Sequence, residues 1–457
     1  MMRAIRCFVA VAMVTAIAAC GGGGGGSSGV GGLIATGPSA PAAKLTTVVA
    51  INGAEASAAS DGRYLVRPGD TVVITPSQGA TWSTKAADPG FVQLRNPTAV
   101  DNQWSAQVVN TKAQQTTYTV TANAAGSDLS SEVVLAVMAG DARNGEFLVF
   151  ATNGTQQKLS LNLDLSTYEL TNSAGSTVTG TFSARAEEPG TFSFKSARVE
   201  IAVDNARFRL TDDVVVGSFP LELAQAGPFI AYSVQPFVAV RNLVTEQAGL
   251  EGTYNRFGID LTPTGRDSTI RQVQVLPGGA AVLMCDDIGV RRIEACPPAS
   301  VLTYDVTPGN SATSWRITNR ANPNDVGAFA VARVGKENVY LAAGLNSQVA
   351  NMSVFRIGLQ DSAAWPYTTA RGADTAAGWV KFVLDATTYS AAVTRYDGSQ
   401  EALAYGLIGT GTAGPQGMRI ANQGPGGLWA VQSGQLAVVV GGRGTAQKGF
   451  IQIGLTD

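Results

Sequence analysis

From Leu45 to the end of the chain, apolar and polar residues alternate in short runs, the period-two pattern of half-buried β-strands. Residues 64–66, 71–75, 117–122 and 132–137 show it clearly, and turn residues bound each run. After the first twenty residues no stretch has the 3.6-residue period of an amphipathic helix. The pattern therefore predicts an all-β protein.

The second half of the chain contains an internal repeat with a spacing of about 100 residues. Three segments recur in the same order: Trp315–Asn319 with 418–422, 329–331 with 429–431, and 355–361 with 451–457. A fainter match relates residues 163–168 (LDLSTY) to residues 384–389 (LDATTY).

We therefore predict three related antiparallel β-modules, at 140–248, 249–361 and 362–457, each a barrel or a sandwich that hides its strand edges. A propeller is the main alternative, but its blades of about 40–50 residues are shorter than these units. Gly252, Thr253 and Tyr254 open the second module much as small calycin-like barrels open, with a glycine and an aromatic residue.

Residues 44–139 resemble a bacterial immunoglobulin-like sandwich of about seven short strands. Tyr118 lies in a TYTVTA run that suits a late strand of such a domain. The cysteine pair of antibody domains is missing from this segment. The resemblance implies a spacer or stalk.

The first twenty residues have the layout of an export signal. Arg3 and Arg6 precede an apolar stretch at residues 8–16, which is too short to cross a bilayer as a helix. The following tetrad, Ile-Ala-Ala-Cys at residues 17–20, resembles the lipobox of bacterial lipoproteins. The resemblance implies a signal peptide at 1–19, acylation of Cys20 with fatty acids such as palmitate, and, because Gly21 follows, the outer membrane. Residues 20–43 are rich in glycine and predict a flexible tether.

Composition removes several classes of function. The chain has no histidine, which excludes a Ser-His-Asp triad, a Cys-His pair and a His-ligated zinc site. Its formal net charge is −2 and becomes more negative once Arg3 and Arg6 leave with the signal, which argues against a nucleic-acid partner. We predict no metal and no cofactor.

The candidate ligand-binding residues lie in and beyond a short cysteine loop. Cys285 and Cys296 are the pair left after export, and an even pair in an exported chain predicts a disulfide. The loop between them is charged in a chain with only 14% charged residues. The candidates that we name are Asp286, Asp287, Arg291 and Arg292 in the loop, and Trp365 as a stacking residue between modules.

Two other motifs match patterns found in functional sites, but the residues around them do not fit those functions. The GxGxxG run at residues 409–414 is followed by Pro415 and a strand instead of a helix, so we predict a glycine-rich β-loop. Adjacent carboxylates at 187–188, 212–213 and 286–287 would point to opposite faces of a strand. We therefore predict no catalytic residue.

Together these patterns predict a lipoprotein anchored in the outer membrane, with a non-enzymatic binding or structural role at the cell envelope. The expected partners are the membrane, through the lipid, and an envelope protein or a glycan ligand. Two alternatives stay open: a secreted carbohydrate-active hydrolase that uses Asp or Glu, and a periplasmic assembly factor.

Overall fold

Alternation of side chains determines the strands throughout the chain. In Thr116–Ala124 every second residue is buried, and β-branched and aromatic residues fill the pleated surface. Turns form where glycine permits a positive φ, as at Gly278 and Gly279, with φ of 78° and 74°. A Cβ at Gly279 would lie 1.8 Å from the carbonyl oxygen of Gln247, so this turn needs a glycine.

The structure is a computed structural model that describes residues 44–196, 198–199, 204–222, 232–286, 289–376, 378–395, 397–421, 427–442 and 449–457. The predicted signal peptide, Cys20, the tether up to residue 43 and Asp287 lie outside these ranges, so those assignments remain predictions. No helix in the described part of the chain could span a bilayer.

Residues 47–137 form two sheets that face each other. Their strand orders are β2-β1-β4-β7-β6 and β3-β9-β8-β5. The two sheets share one core that includes Val72, Trp104, Val120 and Leu135. There are nine strands where about seven were expected, and the shortest of them, Ala54–Glu55, has only two residues. The strands are β1 (Thr47–Ile51), β2 (Ala54–Glu55), β3 (Tyr64–Val66), β4 (Thr71–Pro76), β5 (Ala80–Ala86), β6 (Val92–Val100), β7 (Gln103–Asn110), β8 (Thr116–Ala124) and β9 (Ser130–Val137).

A closed antiparallel barrel follows, with each strand paired to the next and the last paired to the first. Its interior is filled by aromatic and aliphatic side chains, among them Phe147, Tyr168, Phe194, Phe208 and Phe219. The strands are β10 (Gly145–Ala151), β11 (Gln156–Asn162), β12 (Thr167–Asn172), β13 (Thr177–Ala184), β14 (Thr191–Lys195), β15 (Arg207–Leu210), β16 (Val214–Glu222) and β17 (Tyr232–Val240).

The second barrel has the same order and also closes on itself. Short 3₁₀ turns at Gln247–Leu250, Ile293–Ala295 and Pro298–Ser300 flank its strands. The strands are β18 (Gly252–Thr262), β19 (Gly265–Val275), β20 (Ala281–Cys285), β21 (Val301–Pro308), β22 (Trp315–Asn319), β23 (Val326–Val334), β24 (Glu337–Leu345) and β25 (Ser353–Gln360).

The third sheet is a broken version of the same barrel. Its order is β29-β28-β27-β26-β34-β33-β32-β31-β30, and only the buried residue Leu407 separates its two edge strands along the chain. The strands are β26 (Thr368–Asp374), β27 (Gly378–Leu384), β28 (Thr388–Thr394), β29 (Gln400–Gly406), β30 (Ile408–Gly409), β31 (Met418–Ile420), β32 (Trp429–Ser433), β33 (Leu436–Gly441) and β34 (Phe450–Thr456).

The repeated segments occupy equivalent strands: β22 and β31, β23 and β32, and β25 and β34. The fainter repeat falls on the β11–β12 turn and the β27–β28 turn. The prediction of an all-β chain of related antiparallel modules is confirmed: two modules are closed eight-stranded barrels, and the third is an open nine-stranded sheet.

The outer faces of the barrels pack against one another. One apolar cluster contains Val216 and Val238 of the first barrel, Ile259 and Leu341 of the second, and Ile453 of the third sheet. Five strands of the second barrel, β18, β19, β23, β24 and β25, are therefore buried on their outer face as well as facing the interior. Residues Leu45–Asp457 form a single compact unit.

Candidate functional site

The interior of the second barrel is only partly filled. Its closed part is packed with apolar and aromatic residues that include Tyr254, Val282, Trp315 and Phe329. Beyond them lies a cavity of about 600 Å³. This volume is in the range of pockets that hold a small molecule.

Alternation places three arginines in this cavity. Arg256 on β18, Arg271 on β19 and Arg356 on β25 all line it. Their strand neighbours, such as Phe257 and Ile357, point outward into the cluster shared by the barrels. The lumen is therefore charged although the outer face is apolar.

Two of the three arginines have carboxylate partners. The Nη2 atom of Arg356 lies 2.6 Å from the Oδ1 atom of Asp260, and both side chains are largely buried. Arg271 donates a hydrogen bond to Asp286, which is exposed at the edge of the cavity. Each pair neutralises its own charge within the lumen.

Arg256 has no carboxylate partner among the described residues. Its Nη1 atom lies 3.4 Å from the sulfur of Met284, and the Tyr340 hydroxyl is a hydrogen-bond partner. Its Nε atom is buried and makes no hydrogen bond. Burial lowers the pKa of Arg256 to about 10, and the nearby Arg356 and Arg271 act in the same direction. The guanidinium is still charged at neutral pH.

A second polar group lies in the same cavity. The Tyr304 hydroxyl donates a hydrogen bond of 2.8 Å to Asp325, and the Asn319 side-chain amide donates another of 3.0 Å. Burial, and then the hydrogen bond to Asp325, raise the pKa of Tyr304, so its hydroxyl stays protonated. Asp325 thus accepts hydrogen bonds from two side chains at the lining.

Two loops at the mouth of the cavity are joined by hydrogen bonds. The side-chain amide of Gln348 donates to the carbonyl of Asn324 at 2.6 Å, and the Val326 amide donates to the Ser347 hydroxyl at 3.2 Å. Leu345 next to these contacts is 64% exposed. The rim is thus held in place and is partly apolar.

The predicted cysteine loop contributes one side chain to the cavity. Cys285 and Cys296 form the predicted disulfide. Asp286, the first residue after Cys285, lines the cavity and pairs with Arg271. This loop candidate therefore belongs to the lumen.

The other described candidates of the loop lie away from the cavity. The Arg292 amide donates a hydrogen bond of 2.9 Å to the carbonyl of Ala413 in the third module. Arg291 is half-buried, and neither arginine lines the cavity. The structure thus divides the predicted loop residues between the lumen and a junction of modules.

Trp365 lies apart from this cavity. Its ring packs against the interior cluster of the third module, and the guanidinium of Arg419 stands 4.7 Å from the ring centre. One face of the ring is therefore taken by a cation from the same chain. The structure does not bring Trp365 together with the cysteine loop.

The remaining motifs form turns or junctions. Residues 409–414 follow the short strand β30 and lead to β31 without a helix, as a glycine-rich β-loop does. Asp213 accepts hydrogen bonds from Asn242 and the Gly335 amide, and Glu188 accepts one from Trp379. No group of acidic or cysteine side chains suited to a metal occurs among the described residues.

The three lumen arginines were not predicted from the sequence. The sequence feature that could have identified them is a charged residue in the middle of an apolar strand, as in Phe355-Arg356-Ile357. Because the outer face of this barrel is buried too, the apolar residues on either side do not reveal which face is the interior. The repeat offers a second signal, since Arg356 aligns with the neutral Gln452.

No protein-family model matches the chain, and no curated protein matches it. A solved structure of a quinonprotein alcohol dehydrogenase-like protein from Bacteroides thetaiotaomicron is 12% identical; the match covers 86% of this chain and 95% of that one, with a TM-score of 0.16. A DUF4784 family protein from Bacteroides caccae is 9% identical over 78% of this chain and 95% of that one, with a TM-score of 0.17. TM-scores this low carry no argument about fold or function.

Proposed function

We propose that this chain is a lipid-anchored binding protein of the bacterial outer membrane, and that the lumen of its second barrel holds a small-molecule ligand. The observation that carries the proposal is the contrast between two barrels of the same order. The first is filled by aromatic side chains, whereas the second keeps a cavity of about 600 Å³. A concave, partly apolar site with a few convergent polar groups is the usual form of a ligand pocket.

The anchoring part of the proposal rests on residues 1–20. Two arginines, an apolar stretch and the Ile-Ala-Ala-Cys tetrad occur in the order of a lipoprotein signal. Several acyl chains on Cys20 would be enough for stable attachment. The glycine-rich segment that follows would hold the folded modules away from the lipid.

Hydrolysis of a glycan is the alternative that the sequence left open. It would need one carboxyl group that is protonated and a second that is free to act as base or nucleophile. In the cavity, Asp260 and Asp286 are each bound to an arginine, and Asp325 accepts two hydrogen bonds. Each of these three carboxyl groups already has a partner within the chain, so none is free to act as the base or nucleophile. Binding is therefore the function that we propose.

The ligand site can be tested by closing the cavity. Gly344 lines it, and a Cβ at this position would have no atom within 4 Å, so Gly344→Phe should place a ring in the lumen without a backbone clash. Gly406→Phe is the matched control, because Gly406 has the same free space but lies exposed in the third module.

Full-length protein from bacterial envelopes would be compared by native mass spectrometry. We expect the natural protein and the Gly406→Phe control to carry a bound small molecule that the Gly344→Phe variant lacks. The same mass increment in all three proteins, or none in any, would contradict a ligand in the lumen.

The anchor is tested separately with Cys20→Ser in the full chain. Without the acylated cysteine, we expect the protein to move from the membrane fraction to the soluble fraction. Retention of the variant in the membrane fraction would overturn the lipid-anchor proposal and leave the lumen proposal unaffected.

A further inference from the structure

The charges in the lumen of the second barrel do not pair completely. Arg356 is held by Asp260 and Arg271 by Asp286, but Arg256 forms no ion pair among the described residues. Arg256 is half-buried with a fully buried Nε atom, and burial disfavours its charged form, which only Tyr340 favours in return.

The neighbours of Arg256 cannot supply the missing negative charge. Met284 offers only a sulfur, which is a weak acceptor. The Tyr340 hydroxyl stays protonated, because burial raises its pKa. The Nε atom has no acceptor among the described residues. The guanidinium therefore keeps one unsatisfied donor and no carboxylate partner beside an open cavity.

The repeated module does not require an arginine at this position. In the third module the equivalent of Arg256 is Gly372, because Arg256 pairs with Gly358 and Gly372 pairs with the matching Gly454. The equivalent of Arg356 is Gln452, which accepts a hydrogen bond from Tyr389.

Gln452 also donates a hydrogen bond of 2.7 Å to Asp374, so the polar groups at this level of the third module satisfy one another. The module is built on the same strand order as the second barrel. The arginine is thus a feature of the second barrel and not a requirement of the repeat.

The other residues that line the cavity further limit which ligands could bind there. Met284, Leu302, Ile317 and Val354 give the cavity apolar surface. The carboxylate of Asp325 also lines the cavity and would repel a second anionic group on the same ligand.

We propose that the lumen binds an amphiphilic monoanion, with a carboxylate or another singly charged oxyanion group at Arg256 and an apolar body against the remaining wall. This inference rests on the proposed function, because it assigns the ligand class of the same site. Arg256 would form charge-assisted hydrogen bonds with the anion, and the ligand would complete the third ion pair of the lumen.

A set of three probes of the same shape tests the ligand class: naphthoate, its neutral amide naphthamide and the cationic naphthamidine. Their affinities for the full-length protein would be measured by calorimetry in one detergent buffer. We expect naphthoate to bind at least about tenfold more tightly than naphthamide, and naphthamidine to bind most weakly.

Two substitutions assign the effect to one side chain. Arg256→Met should reduce the affinity for naphthoate to that for naphthamide and leave naphthamide unchanged, while Arg256→Lys should keep part of the preference. Arg63→Met removes the same charge from the exposed pair with Asp61 and is the control, with no effect expected.

The outcomes separate the two proposals. If all three probes bind equally and Gly344→Phe abolishes that binding, the monoanion proposal would be overturned, but the lumen site would stand. A preference for naphthoate that survives Arg256→Met would also overturn it. Failure of every probe to bind, or binding that Gly344→Phe leaves intact, would contradict the lumen site itself.

Discussion

Arg356 and Asp260 form a 2.6 Å ion pair across two neighbouring strands of the second barrel, and only 13% and 17% of their side-chain surfaces are exposed. Arg356 lies opposite Gly258 on β18, which leaves room for its guanidinium to reach Asp260. The pair thus depends on a glycine in the middle of a strand. Substitutions that remove these contacts should therefore lower the free energy of unfolding.

Arg356, which belongs to this pair, and Arg256, which does not, should respond differently to the same substitution. Arg356→Met leaves Asp260 buried without a partner, so we expect a loss of about 2–4 kcal/mol in the free energy of unfolding. Arg256→Met removes a half-buried charge that has no ion-pair partner among the described residues, so we expect no loss, or a gain of about 1 kcal/mol. Urea denaturation of the unliganded protein measures both. Equal losses in the two variants would contradict the assigned pairing.

Gly258→Ala should destabilise the second barrel. A Cβ at this position would lie 2.5 Å from the Cδ of Arg356 and 2.5 Å from the carbonyl oxygen of Phe355, so the backbone would have to move. We expect a loss of about 1–3 kcal/mol, measured by thermal or urea unfolding. Gly344→Ala, with free space around the new methyl group, is the control and should be neutral or slightly stabilising. A neutral Gly258→Ala would show that the strands are not packed this closely.

Removal of the disulfide should weaken the same barrel. The bond closes a loop with a sequence separation of 11 residues between Cys285 and Cys296. Loop-closure entropy predicts a loss of about 3 kcal/mol for the double serine variant. In a strong reductant, the unfolding midpoint of the natural protein should fall to that of the variant. A midpoint that does not change on reduction would contradict a stabilising disulfide.

Asp385 in the β27–β28 turn provides a test of acid stability. The Thr387 amide and the Thr387 and Thr388 hydroxyls donate hydrogen bonds to its carboxylate and lower its pKa from 3.8 to about 2. Because the folded-state pKa is below the unfolded value, the stabilisation is complete above about pH 4 and disappears as the pH falls towards 2.

We therefore expect Asp385→Ala to be less stable than the natural protein at neutral pH, with a difference that shrinks on acidification between pH 4 and pH 2. The carbon-13 NMR titration of the Asp385 carboxyl group measures the pKa directly. Titration near its ordinary value would show that these hydrogen bonds do not form in solution.

The fold class could be predicted from the sequence because alternation, turns and the repeat all point to the same structure. The repeat of Trp315–Asn319 places matching strands at equivalent positions in two modules. Alternation could not reveal the shortest strand of the first domain, Ala54–Glu55, since two residues hold too little of the period.

The candidate site was predicted only in part. Charge in a charge-poor chain pointed to Asp286, and this residue does reach the cavity. Arg256 and Arg356 were missed, because the register between β18 and β25 brings them together from positions far apart in the sequence. Such a juxtaposition depends on strand pairing, which a single sequence does not specify.

The most direct test of the central claim is a crystal structure of the protein soaked with iodobenzoate, with the iodine located by anomalous scattering. We predict an iodine peak inside the second barrel, with the carboxylate of the probe bound to Arg256. No iodine in that lumen, or a carboxylate directed away from Arg256, would contradict an anion-binding barrel.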